Sequence, residues 1–151
     1  MPETTETTPQ LDRKALMALV EASHAINAEL DSTEVFNRVA EHAASVMDAE
    51  GASVLLFDEE RRELVFQTAV GPSADTLLGV RFDADLGIAG QVIKTGRAMR
   101  VPDARENRHF FPGIDAKTHM RTGSLIAAPL AHRDKVIGVV EVINPNGREH
   151  F

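Results

Sequence analysis

The chain contains no cysteine, no tryptophan and no tyrosine. Without cysteine it forms no disulfide, no thiolate zinc site and no thioether to a chromophore, and it has no cysteine nucleophile. That composition suits a reducing compartment, and the expected location is the cytoplasm. Aromatic residues make up 5% of the chain, all of them phenylalanine. This leaves little for the stacking platforms that bind single-stranded nucleic acid. An excess of positive charge is also lacking. The formal net charge is −7, and such a surface repels phosphate backbones. No nucleic-acid partner is expected. No apolar run approaches the roughly 20 residues of a membrane helix. Residues 1–9 are polar and acidic, without the basic start or apolar core of a signal peptide. No membrane partner is expected either.

What is present suits one globular domain: 151 residues, 43% of them hydrophobic. A chain of this size buries about two-thirds of its unfolded surface and needs no metal or disulfide. Residues 1–10 offer nothing to bury and read as a disordered tail. From Leu11 the apolar residues Ala15, Leu19, Ile26 and Leu30 recur at helical steps. This narrow stripe suits either its own core or a two-helix seam. The stretch Asp31-Ser32-Thr33-Glu34 pairs an N-cap with an acid three residues on, which predicts a second helix start there. Gly51 is the expected stop. Strands follow at residues 52–57 and 63–70, with a solvated turn between them. A short helical turn near Leu77 and a short strand at residues 80–82 come next. A helix over 87–95 is stopped by Gly96. A strand at 98–101 leads into a polar loop anchored by Phe110, Phe111 and Ile114. A hairpin of 124–131 and 136–144 closes the order. Helices, strands, a helix with a loop, then strands predict an α+β fold on an antiparallel sheet.

Three groups of residues carry candidate chemistry. Glu141 lies in Val136-Ile-Gly-Val-Val-Glu-Val-Ile-Asn144, a strand apolar on both faces. A buried, unpaired carboxylate costs several kcal/mol, on the order of a desolvated ion. It should meet a ligand donor or a structural cation, unless it sits at a solvated strand end. Asp115, Thr118 and Thr122 are spaced three and four apart. If 115–122 is helical they share one face, offering a carboxylate and two hydroxyls to a polar ring or sugar. Alternatively Asp115 is an N-cap and Gly123 the helix stop. Gly87-Ile88-Ala89-Gly90 opens a helix, where free N–H groups hold an anion or simply make a tight turn. The histidines, His24, His42, His109, His119, His132 and His150, show no metal-ligand spacing. Ser53 has no nucleophile-elbow glycines, and no catalytic triad, phosphate loop or paired acids are visible. Arg97, Arg100, Arg105 and Arg108 read as a solvated face. No catalytic residue and no metal site are expected.

Taken in order, Gly87-Ile-Ala-Gly-Gln-Val, Thr95-Gly96, Val101-Pro-Asp-Ala104, Phe111-Pro-Gly-Ile-Asp115, Thr122-Gly-Ser-Leu-Ile-Ala-Ala-Pro129 and the strand of Glu141 resemble a GAF domain. The resemblance spans residues 11–151. It implies a central antiparallel sheet of about six strands, with helices packed on one face and a ligand pocket on the other. The sequence is most similar to the cyclic-nucleotide-binding GAF domains of phosphodiesterases and cyclases. By that likeness Ser53 lies near the base, and Ile88 and Ala89 near the phosphate and ribose. Asp115, Thr118 and Thr122 lie over the nucleotide, with Glu141 on the last strand. Two departures stand out. Ala69-Val70 replaces a Phe-Asp pair that meets the base, and the family's final helix is not expected within the chain. The resemblance implies a non-enzymatic regulatory sensor in signal transduction, binding cyclic AMP or cyclic GMP, with no covalent cofactor. It also implies a homodimer through helix 11–30. The alternative is a dimerisation or protein-interaction module with no small-molecule ligand.

Overall fold

The computed structural model describes residues 29–118 and 121–151. The expected tail 1–10 and nearly all of helix 11–30 lie outside the described residues. The chain divides between Phe36 and Asn37 into two units. The first shows only the opening turns of helix α1, Glu29–Met47. The second, Asn37–Phe151, carries the rest of that helix and all that follows.

Helix α1 corrects two expectations. It is already helical at Glu29 and runs unbroken through residues 31–34, so no new helix starts at Asp31. An N-cap preference of about 1 kcal/mol is too weak to break a helix whose neighbours continue it. The stop is Asp48, at φ 49°, since a short polar side chain tolerates the left-handed region. Gly51 instead sits inside strand β1, Ala49–Asp58. A Cβ there would come within 3.1 Å of the Val70 carbonyl oxygen.

Alternating or continuous apolar runs form the other strands: β2 Glu63–Val70, β3 Arg81–Asp83, β4 Met99–Val101, β5 Leu125–His132 and β6 Lys135–Pro145. They make one six-stranded sheet in the order β3-β2-β1-β6-β5-β4, with every pair antiparallel. β1 and β6 are central, as their two-sided apolar sequences require. The connections hold α2 Ala74–Leu77, α3 Gly87–Thr95, a 3₁₀ turn Ala104–Glu106 and α4 Gly113–Thr118. The architecture is the expected α+β one.

The two faces of the sheet differ. On one, the Thr68 hydroxyl donates to Asn37 Oδ1 of α1. On the other, Leu55, Val139, Leu125 and Ala127 pack with Ile88, Ala89 and Val92 of α3. α3 approaches closely because Gly90 lacks a Cβ, which would lie 2.5 Å from the Ala84 carbonyl oxygen. Register lines up Ala69, Ser53, Glu141, Ala127 and Met99 in one row across five strands. Directly opposed residues share a face, so this row floors the space beneath α3 and α4.

Candidate functional site

A cavity lies on that second face, with about 830 Å³ of empty space counted out to its solvent mouth. All seven residues named from the sequence line it: Ser53, Ile88, Ala89, Asp115, Thr118, Thr122 and Glu141. They come from β1, α3, α4, the approach to β5, and β6.

The floor is Ser53 and Glu141, direct neighbours across β1 and β6. Ser53 is buried and Glu141 half-buried. Among the described residues neither side chain makes a hydrogen bond or ion pair. The part of Glu141 not covered by protein faces the cavity. Removal from water among apolar neighbours pushes its carboxyl up to about 7, because desolvation disfavours the charged form.

One wall is the start of α3. Gly87 adopts φ 77°, a conformation glycine takes without strain, and this turns the chain into the helix. No side chain caps that end. The N–H groups of a first helical turn have no intrahelical acceptor. Gly87, Ile88 and Ala89 line the cavity, at the positive end of the helix dipole.

The roof departs from expectation. α4 ends at Thr118, and Thr122 lies beyond it on the approach to β5. Asp115 and Thr118 keep their helical spacing within α4, while Thr122 joins them from outside the helix. Asp115 is not an N-cap, because it sits inside α4. Gly123 is not a helix stop; its N–H donates to Asn144 Oδ1 at 2.8 Å. The buried Asp115 carboxylate closes a clasp. Oδ1 accepts from the Thr122 hydroxyl at 2.6 Å, and Oδ2 accepts from the Thr122 N–H at 2.7 Å and from Arg105 Nη2 at 2.8 Å. A carboxylate has about four acceptor sites, so most of Asp115's capacity is already used. The Thr118 hydroxyl lies 3.5 Å from the Asp115 carbonyl oxygen.

Arg105 was expected on a solvated face. It is exposed there, and it also holds Asp115 and stands 5.5 Å over the Phe110 ring. Arg105 and Asp115 lie ten positions apart, in the 3₁₀ turn and in α4 with irregular chain between those elements, so no periodicity could have paired them. The sequence marks only part of the aromatic lining, the loop anchors Phe110 and Phe111. Phe66, Phe82, Phe110 and Phe111 all line the cavity, and the ring centroids of Phe66 and Phe82, and of Phe82 and Phe111, are 6.0 Å apart. Apolar residues inside a polar loop were the available signal. No lysine, arginine or histidine is among the described lining residues. Among the described residues no cluster of histidine and acids could hold a metal.

A sequence profile described as the GAF domain matches residues 29–151. The chain is a GAF domain. Among its relatives, this GAF domain is 29% identical to the probable 3',5'-cyclic phosphodiesterase pde-5 of Caenorhabditis elegans, over 87% of the chain. It spans 20% of that relative's length. The GAF domain of a phosphoenolpyruvate-protein phosphotransferase from Coxiella burnetii superposes with a TM-score of 0.67 at 15% identity, covering 90% of this chain and 82% of that one. Free methionine-R-sulfoxide reductase from Neisseria meningitidis superposes with a TM-score of 0.63 at 21% identity, covering 79% and 64%. These structural likenesses show the fold alone. Family membership places the domain in the regulatory class of signal-transduction modules.

Proposed function

We propose that the cavity binds a 3',5'-cyclic nucleotide and that the domain acts as a non-catalytic sensor. The observation that carries this reading is the pairing, in one cavity, of an uncapped helix start with two unbonded polar side chains on the floor. A cyclic phosphate suits the N–H groups of Ile88 and Ala89, since a helix start favours an anion. Ser53 and Glu141 meet the base. Thr118 and the remaining acceptor site of Asp115 lie within the same cavity for the ribose. Arg105, Asp115 and Thr122 hold the roof over it. The likeness to the worm protein, a probable 3',5'-cyclic phosphodiesterase, supports the ligand class. We place the domain in the cytoplasm as a homodimer joined through helix 11–30, with ligand binding ordering the roof and shifting that helix. A ligand moves such an equilibrium only by its differential affinity for the two states.

Thermal unfolding tests the reading. Ligand at a thousand times its Kd stabilises by about 4 kcal/mol, so cyclic AMP or cyclic GMP should raise Tm by several degrees. Replacing Thr118 by valine should shrink that rise. No shift with either nucleotide at millimolar concentration would leave the protein-interaction module as the better reading.

A further inference from the structure

The two acids of the cavity differ. Asp115 is tied by Arg105 and Thr122, whereas Glu141 makes no bond among the described residues and faces the cavity. Val70, the lining residue at the end of β2, is apolar and offers no competing side-chain acceptor. Glu141 is thus the carboxyl with its full hydrogen-bonding capacity open to a ligand. An ionised carboxyl only accepts, while a protonated one both donates and accepts. The two purine rings mirror this difference. The edge of a 2-amino-6-oxopurine carries two adjacent N–H donors. The edge of a 6-aminopurine carries one N–H donor beside one acceptor nitrogen.

We propose that Glu141 selects the purine by its hydrogen-bonding edge: ionised, it takes the two donors of a 2-amino-6-oxopurine; protonated, it takes the donor and acceptor of a 6-aminopurine. This rests on the cyclic-nucleotide reading above and extends it to base identity and its control. The surroundings leave Glu141 free to titrate. Across the sheet it faces Ser53 of β1 and Ala127 of β5, neither of them ionisable in this range. Across the cavity α3 presents Ile88 and Ala89, α2 presents Ala74 and Leu77, and α4 presents Asp115, whose charge Arg105 balances. Desolvation raises the Glu141 carboxyl toward neutrality, so ordinary changes in pH move it between the two forms.

Calorimetry on the full chain, with cyclic GMP and cyclic AMP at about pH 5.5 and about pH 8.5, tests this. Both ligands carry the same cyclic phosphate, so charge repulsion from Glu141 cancels in the ratio of their Kd values. The preference for cyclic GMP over cyclic AMP should rise at least about tenfold from the lower pH to the higher. Glu141→Gln fixes one donor and one acceptor in the same shape. It should lose the pH dependence and favour cyclic AMP at both values. A wild-type ratio unchanged by pH, or a Glu141→Gln variant that keeps the wild-type pattern, would overturn the proposal while leaving nucleotide binding intact. Absence of binding by either nucleotide at both pH values would overturn the cyclic-nucleotide reading and this proposal together.

Discussion

Glu141 has a consequence for stability that needs no ligand. Its folded-state carboxyl is raised to about 7 from an ordinary value near 4.5. Between those values the folded chain binds a proton that the unfolded chain has released, so stability falls as pH rises through the window. Glu141's contribution is therefore most favourable below about pH 4.5 and fully lost above about pH 7. The difference is at most about 3 kcal/mol. Glu141→Gln removes the charge and keeps the shape. Its Tm should exceed the wild type's by several degrees near pH 8 and match it near pH 4.5. An equal Tm at both would show that the carboxyl is well hydrated. Asp115 behaves oppositely, because its charge is used. Asp115→Ala leaves the buried Thr122 N–H without its acceptor and Arg105 without its partner. A stranded buried donor costs about 1–3 kcal/mol, and the partial exposure of Arg105 limits what the ion pair adds. Urea unfolding should show a loss of about 2 kcal/mol.

At the scale of elements, the hairpin between β5 and β6 turns through two residues, Arg133 at φ 50° and Asp134 at φ 66°. Two positive φ values in a two-residue loop mark the turn type that favours Asn-Gly. Replacing Arg133-Asp134 by that pair should stabilise the chain by about 1 kcal/mol, read by urea midpoint, without touching the cavity. Gly138 shows the reverse. A Cβ there would lie 2.2 Å from the Leu55 carbonyl oxygen across the β1–β6 ladder. Gly138→Ala should cost about 1–3 kcal/mol, as overpacking does. These elements also show what the sequence made legible. Helix 87–95, strand 63–70 and the closing hairpin could be read because glycines and turn residues bracket them. Residues 31–34 were misread because a local cap preference yields to the helix around it. The cavity's floor was legible from one acid in an apolar strand. Its roof was legible only in part: Asp115, Thr118 and Thr122 could be named, whereas Arg105 joins Asp115 across irregular chain that carries no period.

On the scale of the whole molecule, the sheet supplies a rigid floor while helices and loops supply the walls and roof. The proposed homodimer seam lies in helix 11–30, outside the described residues. If it holds, the full chain sediments as a dimer, and glutamate at Leu19 and Ile26 converts it to a folded monomer. A dimer unaffected by both changes would place the seam elsewhere. The central claim concerns the cavity, and titration calorimetry of the full chain with cyclic GMP near neutral pH tests it most directly. Binding of one nucleotide per chain, weakened by Thr118→Val and altered in base preference by Glu141→Gln, is the expected result. No heat of binding from cyclic GMP or cyclic AMP at millimolar concentration would contradict it.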